Sequence, residues 1–300
     1  MKWRDRRQSN HVEDQRSRGG GRALGLKGGI GTLLLALVLW GVFGIDPRTT
    51  LGISQQLSGG TQPAEPVVDT AESARTKQFI AVVLADTADT WQQIFMQANQ
   101  QYNPPKLVLF QDSIQSGCGQ GQSAMGPFYC PADQKIYLDM RFFADMRQQF
   151  DIIGEQANSG DSSAGQAGDF AQAYVIAHEV GHHVQTLLGI SQQVNQAQQR
   201  SRSDAERNQL SVRQELQADC FAGLWAYHTQ QRTQFLQHGD LEEAMNAASQ
   251  IGDDRLQQRS QGQIVPESFT HGSSAQRVHW FNVGFKSGQF AACDSFKQAI

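Results

Sequence analysis

Apolar residues recur at helical spacing along several stretches of this chain, and those stretches predict most of its elements. Phe79, Ile80, Val83, Leu84, Trp91, Ile94, Phe95 and Ala98 keep one face apolar until Asn103-Pro104-Pro105 ends the run. A second helix is predicted where Phe170, Ala173, Tyr174, Val175, Ile176 and Ala177 lead in without Gly or Pro, with Gly189 as its stop. A third runs from about residue 204 to 229, and shorter ones cover 240–249 and 274–288, the last after a Ser273/Gln276 capping-box pattern. Residues 106–110 and 135–139 read as strands. Between them lies a Gly-rich loop, and 154–168 is a polar connection. The pattern predicts an α+β domain, mostly helical with a small β-sheet.

One stretch breaks the amphipathic pattern. Residues 28–45 are eighteen successive uncharged positions, apolar all round, near the lower length that crosses about 30 Å of hydrocarbon. They offer no small-x-small cleavage site, so an uncleaved transmembrane anchor is expected and not a signal peptide. Residues 1–27 carry eight Lys/Arg against three acids, a balance of +5 that leaves −9 on the remainder of a chain with net charge −4. A basic flank before an apolar segment predicts a cytoplasmic N-terminus. An acidic folded body excludes a nucleic-acid-binding domain, whose basic face would lie on the folded part. The expected organisation is therefore a basic tail (1–27), an anchor (28–45), a Pro/Gln/Gly-rich linker (46–75) and a domain over 76–300. That domain would lie on the periplasmic side of a bacterial inner membrane, with the membrane as a partner through the N-terminal helix.

Candidate chemistry sits on two of the predicted helices. His178-Glu179-Val180-Gly181-His182 places two imidazoles at i and i+4, about 40° apart round the axis, so both face the same way. Glu179, about 100° round, reaches the edge of that face, where it can act on a water without binding the metal. A catalytic zinc takes three protein ligands and a water. One known solution puts a Gly three residues past the second histidine and a third His six past. Gln185 and Leu188 stand there, which excludes it. The other takes a Glu from a second helix, and Glu215-Leu216-Gln217-Ala218-Asp219 offers two carboxylates at i and i+4 in a mostly apolar neighbourhood. One can bind metal while the other accepts a hydrogen bond from a ligand histidine; Glu215 is assigned the first task and Asp219 the second.

At these residues the sequence resembles the neutral zinc metallopeptidases of the YpfJ type. The resemblance also rests on Gly117-Cys118-Gly119, on Met125-Gly126-Pro127-Phe128-Tyr129-Cys130-Pro131, on Cys220-Phe221-Ala222-Gly223 and on Ser268-Phe269-Thr270-His271-Gly272. It covers nearly the whole chain, and by site pattern is similar to the gluzincin clan of thermolysin-like and HtpX-type peptidases. It implies a zincin-like domain, a Zn2+ cofactor and a peptide or protein substrate. Similarity to the His-Pro-x-x-x-x-Arg stretch of HtpX-type enzymes gives His271 the role of oxyanion donor, although Gly272 replaces the proline. Four cysteines without a Cys-x-x-Cys pair, all past residue 45, predict two disulfides on an oxidising side; the chosen pairing is Cys118–Cys130 and Cys220–Cys293. The resulting expectation is a membrane-anchored zinc endopeptidase of envelope proteins or peptides. A silent zinc-stabilised binding module and an amidase acting on cell-wall peptides are the alternatives.

Overall fold

The computed structural model describes residues 1–16, 70–150 and 168–300. Residues 1–14 belong to the same compact unit as 69–300. Helix α1 (Ala71–Gln97) starts where Thr70 Oγ1 accepts from the Ser73 amide at 3.1 Å, and it buries the apolar stripe from Phe79 to Phe95. Strands β2 (Lys106–Phe110) and β6 (Lys135–Asp139) pair in parallel, Leu107 opposite Ile136. Leu107 to Phe110 are all buried because both sheet faces are covered. A short β1 (Val12–Asp14) adds parallel to β2, and β5 (Phe128–Cys130) adds antiparallel to β6, giving the order β1-β2-β6-β5. Between β2 and β5, β3 (Ser113–Ser116) and β4 (Gly119–Gln122) form a separate hairpin.

Helices then take over. After α2 (Arg141–Phe150) come α3 (Asp169–Leu187), α4 (Ile190–Arg200), α5 (Asp204–Thr233), α6 (Asp240–Gln250), α7 (Asp253–Gln261) and α8 (Ser274–Ser287). Gly189, at φ +74°, separates α3 from α4. Two close crossings set the site. A Cβ on Gly181 of α3 would lie 3.1 Å from the Ala218 backbone of α5, so glycine lets these helices touch. A Cβ on Gly284 of α8 would collide with the Cys220 carbonyl of α5, and one on Gly223 with the Phe281 carbonyl. Three helices are thereby stacked at backbone contact, with α5 in the middle. Disulfides join Cys118 to Cys130 and Cys220 to Cys293.

The N-terminal residues overturn the expected topology. Trp3 is buried, edge-on to Phe79 at 5.4 Å, and its Nε1 donates to Asp169 Oδ2 at 2.8 Å. The Lys2 amide donates to the Phe235 carbonyl at 2.8 Å, and Arg6 lies over the Phe235 ring. Glu13 pairs with Lys106 and Lys135, and Asp14 with Lys77. Since β1 and β2 share a sheet, residues 14 and 106 lie on one side of any membrane, which a single crossing between them would forbid. Among the described residues, no helix is long and apolar enough to cross a membrane. Residues 28–45, which carried the anchor expectation, lie outside the described residues. The single-pass anchor, the membrane as partner and the placement with a cytoplasmic N-terminus and a periplasmic domain are therefore corrected. β6 is bonded on both sides, and the two edges of the sheet are β1 and β5.

Candidate metal centre

Helix α3 presents His178 and His182 from one face, their ring centroids 4.8 Å apart. The touching of α3 and α5 at Gly181 and Ala218 brings Glu215 against both. Glu215 Oε2 is 3.1 Å from His178 Nε2, and Oε1 is 3.4 Å from His182 Nε2. One donor atom from each of the three lies within 4.8 Å of the others, the one such group among the described residues. Asp219, one turn further along α5, is fully buried and sets its Oδ1 2.8 Å from His178 Nδ1. That contact leaves Nε2 of His178 facing Glu215.

Behind Asp219 stands Arg277 of α8, 3% exposed, with Nε 2.9 Å from Oδ2 and Nη2 2.9 Å from Oδ1. Nη2 also donates to the Tyr174 hydroxyl at 3.2 Å, and Tyr174 donates to Asp219. Burial alone would raise the Asp219 carboxyl, but the charges of Arg277 and His178 hold it at about 2. Burial would likewise raise Glu215, yet His182 and His178 bring it well below the carboxylate range. Against burial, Asp219 and Glu215 raise His178, and Glu215 raises His182. Two imidazoles set against these carboxylates occupy a cation-stabilising field. A divalent ion would satisfy the same carboxylates. Two imidazole nitrogens and one carboxylate are also the donor set of a catalytic zinc. The residues fit the ion.

Glu179 is buried at the edge of the same cleft, and among the described residues its carboxylate has no hydrogen-bond partner. Burial raises its pKa, countered by His182 and His178. His271 lies in the loop before α8, which starts with the expected Ser273/Gln276 capping box. It lines the cleft beside His178 and Glu215, and its Nδ1 is 3.1 Å from Asp253 Oδ1. Asp253 Oδ2 accepts the backbone amides of Thr270, His271 and Gly272 at 2.7, 2.6 and 3.0 Å, so one carboxylate shapes the loop and aims its histidine. That Asp253 contact raises the His271 pKa against burial.

The cleft encloses about 610 Å³, and Met125, Phe128, Phe142, Met146, Ile251 and Leu256 supply its apolar lining. A groove of about 890 Å³ between α4 and the C-terminal residues is larger, but none of these ionisable groups lines it. Chemistry and not size picks the site. His183 points elsewhere: Nε2 donates to the Asn103 carbonyl at 2.7 Å and Nδ1 faces the Tyr129 hydroxyl at 3.1 Å, tying α3 to β5. Sequence reasoning missed Tyr174, Arg277, Asp253 and Gln185. Tyr174 sits four residues before His178 on the same helix face, and Arg277 ends the stretch that singled out His271, so both left a signal.

Comparison with known proteins agrees with this geometry. Residues 1–296 match the family described as "Putative neutral zinc metallopeptidase". The chain is 49% identical to YpfJ of Escherichia coli (strain K12) over 310 residues, covering 100% of both chains. It is 38% identical to the uncharacterized protein Rv2575 of Mycobacterium tuberculosis (strain ATCC 25618 / H37Rv) over 270 residues, 86% of this chain and 85% of that one. No solved structure matches. The protein is a zinc metallopeptidase with a Zn2+ cofactor. It belongs to the neutral zinc metallopeptidase family.

Proposed function

We propose that this protein is an endopeptidase in which His178, His182 and Glu215 hold the zinc and Glu179 moves the protons. The observation that carries the reading is the convergence of three donor atoms within 4.8 Å in a cleft that also holds the buried Glu179. When bound, the zinc supplies Lewis-acid polarisation of a substrate carbonyl and acidifies water at that position. Glu179, raised by burial, takes the proton of the attacking water and returns it to the leaving nitrogen. Asp219 holds a proton on His178 Nδ1, with Arg277 fixing the carboxylate. His271, aimed by Asp253, donates to the oxygen that gains charge as the carbonyl is attacked.

Substrate geometry follows from the sheet. Phe128 and Tyr129 of β5 line the cleft, and β5 pairs only with β6 among the described residues. An extended peptide adds to that open edge, with backbone bonds for alignment and apolar side chains among Met125, Phe142 and Leu256. Met125 and Leu256 are 65% and 39% exposed, large apolar surface that a bound peptide would cover. The test is zinc content and cleavage of a diverse peptide library by the full chain. About one zinc per chain is expected, with cleavage lost on chelation and restored by zinc. Retained zinc without any cleavage would reduce the protein to a binding module.

A further inference from the structure

We propose that Gln185 is a positioning residue for His182, and that an amide relay anchored at the Cys293 carbonyl fixes which ring nitrogen of His182 faces the metal. The proposal rests on the reading of His182 as a ligand. Gln185 lies three residues past His182 on α3, fully buried, with Oε1 2.9 Å from His182 Nδ1. Its Nε2 is 2.7 Å from the Gln214 carbonyl and 3.1 Å from Gln217 Oε1. Gln217, also buried, sends its own Nε2 to the Cys293 carbonyl at 3.0 Å.

The direction of every bond in this chain is forced from its far end. Backbone carbonyls only accept, so Cys293 requires the NH2 group of Gln217 to face it. The Gln217 oxygen must then face Gln185, and with Gln214 it occupies both Nε2 hydrogens of Gln185. Only Oε1 of Gln185 remains for His182, and Oε1 only accepts. Nδ1 of His182 therefore carries a proton, which leaves Nε2, beside Glu215, as the nitrogen available to a metal. Cys220–Cys293 pins the anchor to α5, five residues past Glu215. His178 and His182 are thus aligned by different devices, a charged carboxylate for the first and a neutral amide chain for the second.

The experiment uses the full chain and zinc itself, with affinity measured by chelator competition. The visible spectrum of the Co2+-substituted protein and the thermal midpoint of the metal-free form are recorded on the same samples. Gln185→Met keeps length and burial but loses the acceptor. It should weaken zinc by about 10–100-fold and shift the Co2+ bands, with the metal-free midpoint nearly unchanged. Gln217→Met removes one of the acceptors that aim Gln185 and should weaken zinc by a smaller factor. Unchanged zinc affinity and Co2+ bands in Gln185→Met, with zinc lost in His182→Ala, would overturn the relay and leave the ligand assignment standing. Zinc retained in His182→Ala would instead overturn the ligand assignment. If Gln185→Met does not fold, ring-nitrogen NMR of the zinc-loaded wild type decides. A slowly exchanging Nδ1 proton on His182 with a cross-peak to Gln185 is expected, and its absence contradicts the relay.

Discussion

Arg277 grips both oxygens of Asp219, Nε to Oδ2 and Nη2 to Oδ1 at 2.9 Å each, in a pocket from which both side chains are almost wholly shielded. A planar fork on a carboxylate is the geometry arginine makes and lysine cannot. The pair matters because Asp219 is also the partner of His178, so α8 reaches the metal site without touching the metal. Removing one member of a buried pair leaves the other uncompensated, which typically costs about 3–5 kcal/mol. Arg277→Met should lose about that much in urea unfolding and weaken zinc, whereas Arg277→Lys should fall between. An Arg277→Met protein with wild-type stability would contradict the arrangement.

A second prediction concerns the N-terminus. Trp3 fills a site between α1 and the start of α3, and deleting a buried tryptophan side chain costs about 3–5 kcal/mol. Trp3→Ala should lower the midpoint of thermal unfolding of the whole domain. A midpoint equal to wild type would mean that residues 1–14 do not dock in solution.

The pH dependence follows from His271 and Asp253. Asp253 raises the His271 pKa above 6.5, so the imidazolium survives to higher pH than an exposed histidine would allow. For stability, the contribution of the pair is complete below the unfolded value and is lost as pH rises through the folded one. For activity, an alkaline limb of kcat/KM from His271 should lie above pH 6.5. Asp253→Asn removes the main cause and should move that limb to lower pH. A limb that stays in place would take His271 out of the reaction.

The sequence already outlined the helices that hold the donors, because long amphipathic runs and the i, i+4 spacing of His178 and His182 need no tertiary information. Strands over 106–110 and 135–139 were legible as short apolar runs closed by turns. What escaped was set by distant partners. β1 is three residues, two of them acidic, and becomes a strand only because β2 lies beside it. α7 has Leu256 as its one apolar residue and so no apolar stripe to betray it. Composition also misled, since a basic flank beside an uncharged stretch read as a membrane topology although Arg6, Arg7 and Glu13 are spent on contacts within the domain. The site was half legible for the same reason: His178, His182, Glu215 and Asp219 lie at helical spacings, whereas the approach of α8 that carries Arg277 to Asp219 depends on the Gly223 and Gly284 contact between distant helices.

That contact gives a fourth prediction. A methyl group on Gly284 would collide with the Cys220 carbonyl one residue past Asp219. Overpacking of this kind costs about 1–3 kcal/mol. Gly284→Ala should therefore destabilise the fold and, by pushing α8 away, weaken zinc. If zinc affinity does not change in the folded variant, the α8 contact does not support the site.

The central claim is that Glu179 moves protons while His178, His182 and Glu215 hold the metal, and one comparison tests it directly. Glu179→Gln is nearly isosteric, and general acid–base catalysis contributes about 10²–10⁴-fold, or roughly 3–5 kcal/mol of barrier. Zinc content and peptide cleavage should be measured on the same preparations of wild type and Glu179→Gln. The account predicts equal zinc, near one per chain, with turnover lower by that factor and peptide binding little changed. Undiminished cleavage in Glu179→Gln, or loss of its zinc, would contradict the account.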